Sequence, residues 1–351
     1  MAYCDNDTPA CFADITYGFY KVFADLNGIP YETIPLKDDF TIDPEAYIGL
    51  NKTIFIANPN APTGMVLPLS DIEKILQTNP NNVVVIDEAY VDFGTESAMC
   101  LIDKYENLLV TQTFSKSRSL AGGRLGFGIG SKALIGDLNT IKYATNPYNV
   151  NRMTMAAGIG VLCDEEYTKA NCRKIIENRE YTKTELKKLG FTLTDSVSNF
   201  IFAKSDKISG EELYLTLKER GILVRHFSSE RLCDYNRITV GSREQMDALL
   251  DEIPTKQNEI SVTAMPNGNI RLGNLQGGDR EFMPATPSGD PMHYMYEQWG
   301  ATWNGKSGYW ELNGLLDLTN ADMRLIWDTR HFPTAACRYT DQRIRTNLYR
   351  Y

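Results

Sequence analysis

Long apolar stretches are missing from this chain: no run of about 18 apolar residues occurs, so the sequence carries no helix of the kind that crosses a bilayer. The opening MAYCDNDTPACFADITYG has no basic start followed by an apolar segment, and no secretory leader is expected. Histidine is scarce, with three in all. The seven cysteines (Cys4, Cys11, Cys100, Cys163, Cys172, Cys233, Cys337) show neither CxxC nor Cys/His spacing, so no metal site is expected. An odd number of scattered cysteines suits free thiols in a reducing compartment, and a cytoplasmic location is expected. Basic excess is lacking too. A formal net charge of −9 argues against nucleic acid or a membrane surface as partner, while single arginines can still hold a small anion. No tryptophan precedes Trp299; the other three (Trp303, Trp310, Trp327) follow it.

What is present is enough apolar material, 42% of 351 residues, to bury a sizeable core spread over two or three domains. From residue 10 to about 145, short apolar runs (IFIA at 54–57, VVVI at 83–86, LLVT at 108–111, LGFGI at 125–129) alternate with amphipathic ones. Among the latter is LSDIEKILQT (69–78), where Ser70 and Glu73 have capping-box spacing. This βαβ rhythm predicts an α/β domain on a mostly parallel sheet over 1–150. TNPYNVNR (145–152) breaks the rhythm as a hinge. A helical pattern then runs from about Met153 to Leu189 and stops at Gly190. Strands in 191–204, a helix over 210–221, strands in ILVRHF and RITVG, and a closing helix in REQMDALLDEI predict a smaller α+β domain over 151–253. Residues 254–351 lose helical periodicity and form a separate region of unknown fold, read as a small β-rich module or as unstructured sequence.

Three elements carry the chemistry. VVVIDEAY ends an apolar strand in Asp87 and Glu88, at the carboxyl edge where α/β sheets gather ligands. The next strand brings Thr113, Ser115 and Lys116 to the same edge, and a lysine among apolar strands sheds its proton readily enough to act as a nucleophile. Two hydroxyls and the guanidinium of Arg124 are the donors a phosphate wants. NPNAPTG (58–64) is a rigid turn after its strand, with asparagine amides able to donate to a ligand oxygen.

In this order, NPNxPTG, DEAY and SKxxxLxGxRxG resemble the pyridoxal-phosphate aminotransferases of fold type I, and within them the histidinol-phosphate aminotransferases. The resemblance covers roughly residues 10 to 253 and includes DITYGFY, SNFIF, GILVRHF and RITVG. It implies pyridoxal 5'-phosphate as cofactor, carried by Lys116, which also acts as the general base. Asp87 would pair with the ring nitrogen, Tyr90 with the phenolic oxygen, and Tyr17 would stack on the ring. Ala61 stands where many relatives have a second asparagine that reaches the phenolic oxygen, so either Tyr90 would hold that oxygen alone or Asn60 would compensate at the cofactor. Thr113, Ser115 and Arg124 would bind the phosphate, and Arg225 and Arg237 the substrate, as a phosphorylated amine or as glutamate and 2-oxoglutarate. The resemblance further implies a homodimer and a place in histidine biosynthesis.

The family carries, ahead of the DITYG segment, an N-terminal arm, its first helices and a glycine-rich loop whose helix cradles the cofactor phosphate. The chain is expected to begin after these, with the large domain incomplete at its N-terminus. Two other functions share the motifs: a remnant serving as a binding or scaffold module, and a related enzyme such as a threonine-phosphate decarboxylase.

Overall fold

The apolar runs become the strands of one sheet in a computed structural model, which describes residues 2–253 and, beyond them, the backbone of seven short strands. The strands are β1 (Ala10–Ala13), β2 (Tyr31–Ile34), β3 (Thr53–Ala57), β4 (Val84–Asp87), β5 (Leu108–Thr113) and β6 (Gly126–Gly130). Their spatial order is β2-β1-β3-β4-β5-β6, and every pair is parallel except β5 with β6. Strands β3 to β5 are apolar on successive residues because both faces are covered. Ile54, Ile56, Val84, Ile86, Leu108 and Val110 pack against Ile72, Ile75 and Leu76 of α2 (Leu69–Thr78). On the opposite face, Val85 and Leu109 meet Leu134 of α3 (Lys132–Thr145).

The chain leaves β1 for its outer neighbour β2, through α1 (Phe19–Leu26), and then returns to place β3 on the other side of β1. Between β1 and β3 the winding direction changes, which opens a crevice at the carboxyl ends of those strands. The segments that follow them are DITYG and NPNAPTG, and the candidate residues of both lie at this opening.

After α3, residues 146–151 form the connection where the hinge was expected. The single helical pattern that follows is in fact two helices, α4 (Arg152–Cys163) and α5 (Glu165–Lys188), divided at Asp164. Asp164 accepts from the Tyr167 amide at 3.2 Å, so its carboxylate caps the second helix and ends the continuity. Gly190, at φ +87°, closes α5. The smaller sheet holds β7 (Phe191–Leu193), β8 (Phe200–Ser205), β9 (Arg225–His226) and β10 (Tyr235–Thr239) in the order β7-β8-β10-β9, all antiparallel. Helices α6 (Gly210–Glu219) and α7 (Arg243–Glu252) supply Leu213, Leu217, Met246 and Leu249 to its core. The capping box expected at Ser70 is absent: α2 begins at Leu69, its N-cap is Pro68, and no side chain caps it. Glu73 instead accepts from the Tyr105 hydroxyl at 2.8 Å.

The two sheets are fastened near the crevice. Ala13, Leu36 and Phe40 from the larger part pack with Phe202 and Leu232 from the smaller. Buried Arg179 of α5 donates to the carbonyls of Phe93 at 2.9 Å and Ser198 at 3.0 Å. Gly64, in NPNAPTG, has φ +75°, and a Cβ there would come within 2.0 Å of Ser196 Oγ. Only glycine lets the turn and the small sheet meet so closely.

By its contacts the chain divides into Met1–Ile253 and Pro254–Tyr351. In the second, β11 (Ile260–Ala264), β12 (Ile270–Asn274) and β13 (Gly278–Phe282) form one antiparallel sheet. A second antiparallel sheet holds β14 (Ala301–Asn304), β15 (Tyr309–Asn313), β16 (Arg324–Asp328) and β17 (Cys337–Tyr339). Trp303, Trp310 and Trp327 stand opposite one another in its register, while Trp299 lies outside the described residues.

Candidate active site

Three adjacent strand ends deliver the candidate residues. Asp87 closes β4 in register with Ala57 of β3 and Thr111 of β5, and its carbonyl accepts from the Asn58 amide at 2.8 Å. Side chains alternate along a strand, so the acidic pair divides between the two faces. Asp87 turns toward α1, where Tyr20 Oη donates to Oδ2 at 2.7 Å. Glu88 turns the other way and is buried, accepting from Ser97 Oγ at 2.5 Å, the Ala98 amide at 2.6 Å and Gln112 Nε2 at 2.8 Å. Burial pushes both carboxyls above the usual carboxylate range; for Asp87 the bonds from Tyr20, the Ala89 amide and Thr111 oppose that rise.

The turn after β5 gathers the expected anion donors. The Ser115 amide donates to Thr113 Oγ1 at 3.1 Å, folding the hydroxyls into one small loop. Arg124 sits in the left-handed region at φ +52°, and its Nη1 lies 3.5 Å from Ser115 Oγ and 3.0 Å from the Ala121 carbonyl. The exposed cation and the half-buried hydroxyls thus face one place. The next cation, Arg118, is spent on structure: it pairs with Asp92 at 2.8 Å and lies over Phe114.

Lys116 is exposed, so the apolar surroundings expected from the sequence are not what its side chain meets. Its Nζ lies 5.3 Å from the centroid of the Tyr90 ring, with no ion-pair partner among the described residues. Tyr90 in turn meets Phe200 edge-on at 5.1 Å, and the other neighbour of Phe200 is the Arg237 guanidinium at 5.2 Å. Two edge-on rings and three contacts therefore connect the lysine of the large sheet to an arginine of the small one. Arg237 Nε is buried without a hydrogen-bond partner among the described residues, and Arg225 is its register partner across β9 and β10. Two arginines in register, one with a buried donor left over among the described residues, offer the charge and hydrogen bonds that suit an anion.

Tyr17 is 46% exposed and stacks on Phe19 at 5.7 Å, leaving much of its ring open at the crevice. Asn60, expected at the cofactor, is buried, and its amide is committed elsewhere. Its Oδ1 accepts from Thr16 Oγ1 at 2.8 Å, and its Nδ2 donates to the Ile15 carbonyl at 2.9 Å and to Thr63 Oγ1 at 3.3 Å. It holds the segment that carries Tyr17, across the change of winding. Sequence reasoning missed Tyr20 and Thr16. The available signal was the i, i+3 spacing of Tyr17 and Tyr20 in TYGFY, which puts both on one side of a helix start.

The family model for aminotransferase class I and II matches residues 1–253. The chain is 51% identical over 254 residues to a histidinol-phosphate aminotransferase of Brachyspira hyodysenteriae, covering 72% of each chain. It is 49% identical over 258 residues to one of Marinomonas, covering 73% of each. Among solved structures, a putative aminotransferase from Burkholderia pseudomallei superposes with a TM-score of 0.61 at 28% identity, covering 70% of this chain and 74% of that one. The histidinol-phosphate aminotransferase of Clostridium acetobutylicum gives 0.65 at 24% identity, over 70% and 77%, a likeness of fold. With the strand-end lysine, the acidic β4 and the sequence match in agreement, the chain belongs to the class I and II aminotransferases.

Proposed function

We propose that this chain uses pyridoxal 5'-phosphate to exchange an amino group between histidinol phosphate and 2-oxoglutarate, giving imidazole acetol phosphate and glutamate, as a step of histidine biosynthesis. The observation that carries the reading is the cluster at the three strand ends: a lysine without an ion-pair partner among the described residues, a half-buried carboxylate and a hydroxyl–arginine loop. The donor set fits the cofactor. Arg124, Ser115 and Thr113 offer a cation and hydroxyls to a phosphate, and Asp87 offers a carboxylate to a protonated ring nitrogen. When bound, the cofactor serves as the electron sink for bond cleavage at the substrate's α-carbon. Lys116 provides the amine that carries it, and moves the proton at that carbon as general base. Tyr17 covers the ring, and Tyr90 donates to the phenolic oxygen. Arg237 and Arg225 take the anionic end of the substrate, as phosphate or carboxylate. Asn60 keeps the Tyr17 segment in place instead of touching the cofactor.

The names of relatives that are histidinol-phosphate aminotransferases at 42–51% identity over most of the chain support the choice of substrate. The same arginines also suit other phosphorylated amines, and a threonine-phosphate decarboxylase from Porphyromonas gingivalis has this fold at 23% identity. We also propose a cytoplasmic homodimer. In its support, α1 leaves Phe19, Val22, Phe23 and Leu26 exposed at i, i+3, i+4 and i+7. Titration of the purified protein with pyridoxal phosphate tests the cofactor reading. A saturable visible absorbance band is expected in the wild type and none in Lys116→Ala; no band in the wild type at saturating cofactor contradicts it.

A further inference from the structure

We infer that Tyr20 is a positioning residue that holds the Asp87 carboxylate in the orientation and charge state needed at the ring nitrogen of the cofactor. The inference rests on the cofactor reading above.

The Tyr20 hydroxyl donates to Asp87 Oδ2 at 2.7 Å, the one side-chain bond that reaches this carboxylate from α1. A lone carboxylate at a strand end rotates about its last bond, and a short bond from a fixed partner removes that freedom. Tyr20 is such a partner. Its ring is wedged between Phe12 of β1 and Phe55 of β3, each 5.8 Å away, and meets Tyr17 edge-on at 5.5 Å. The hydroxyl also acts on charge. Burial favours the neutral carboxyl, and a donor on the carboxylate favours the ionised one. Its own proton is secure, because burial and the Asp87 charge push Tyr20 well above its ordinary value. It therefore donates over the whole working pH range. The groups facing Asp87 are Tyr20 from α1, the Ala89 amide beyond its own strand and the Thr111 hydroxyl of β5. Glu88 beside it points to Ser97 and Gln112 on the other face. The edge contact with Tyr17 adds a further consequence: one helix start sets both the ring cover and the carboxylate.

The test is a double-mutant cycle on the full chain, with Tyr20→Phe, Asp87→Asn and the pair. Tyr20→Phe keeps the ring and removes only the donor. The Kd for pyridoxal phosphate, read by absorbance titration, is expected to rise roughly tenfold, as for the loss of one hydrogen bond to a charged group. The pH at which the visible band of the loaded protein changes is expected to shift. In the Asp87→Asn background the same substitution is expected to change neither quantity further. A second readout needs no cofactor: the stability gap between wild type and Tyr20→Phe should widen as pH rises above the carboxylate range. The bond lowers the Asp87 pKa only where Tyr20 is present, so its benefit appears as the carboxyl ionises. Equal Kd and equal band titration in Tyr20→Phe, or additive effects in the pair, would overturn the inference while leaving the cofactor reading intact. Failure of the wild type to bind pyridoxal phosphate would overturn both.

Discussion

At the scale of single residues, neighbouring acids have opposite duties. Asp87 is held above the usual carboxylate range by burial, so the folded state keeps its proton at a pH where the unfolded chain has lost it. Its contribution to stability therefore falls as pH rises from the ordinary carboxylate value through the raised one. Asp87→Asn cannot ionise. In thermal melts without cofactor the variant is expected to gain on the wild type with rising pH, and a gap that does not change with pH would refute this. Glu88 is structural: Glu88→Ala leaves three donors around it without their acceptor and is expected to cost about 2–3 kcal/mol in chemical denaturation. The sequence alone put both at the sheet edge but did not separate them. Alternation along β4 is legible, but which face meets Tyr20 and which meets Ser97 depends on the packing of α1 and of the 3-10 turn at Ala98–Leu101. The same holds for Asn60: the motif shows an amide at a strand end, and only the folded chain shows it bound to Thr16 and Ile15.

At the scale of elements, the apolar runs at 54–57, 83–86 and 108–111 became strands because a buried parallel sheet selects continuous β-branched and leucine runs, and the run at 125–129 became the half-exposed antiparallel edge strand β6. What was not legible is short or interrupted. β1 and β2 are four residues each, and β2 keeps only Ile34 buried, so neither announces itself. The break at Asp164 was hidden because the helical pattern continues through it, and one capping carboxylate decides it. The Gly64 turn is the element most sensitive to change. Gly64→Ala combines a φ of +75° with a Cβ placed against Ser196 and is expected to cost about 2–4 kcal/mol. Unfolding titration checks the cost; a loss below about 0.5 kcal/mol, the range of ordinary surface changes, would show that the two sheets do not meet there as described.

For the whole molecule, every candidate site residue lies in Met1–Ile253, the stretch the family model matches. Removal of residues 254–351 is therefore expected to leave the cofactor absorbance band and its Kd unchanged, as measured by the same titration. Light scattering of the full chain is expected to give twice the chain mass, through a face that includes α1; Phe23→Glu on that helix is expected to reduce it to the single-chain value. The central claim, amino transfer on a phosphorylated amine, is tested most directly by supplying histidinol phosphate and 2-oxoglutarate to the protein saturated with pyridoxal phosphate and measuring glutamate. Glutamate formed in proportion to histidinol phosphate consumed, and absent in Lys116→Ala, is the predicted result. No glutamate from a protein that binds the cofactor, or carbon dioxide released from threonine phosphate instead, would contradict it.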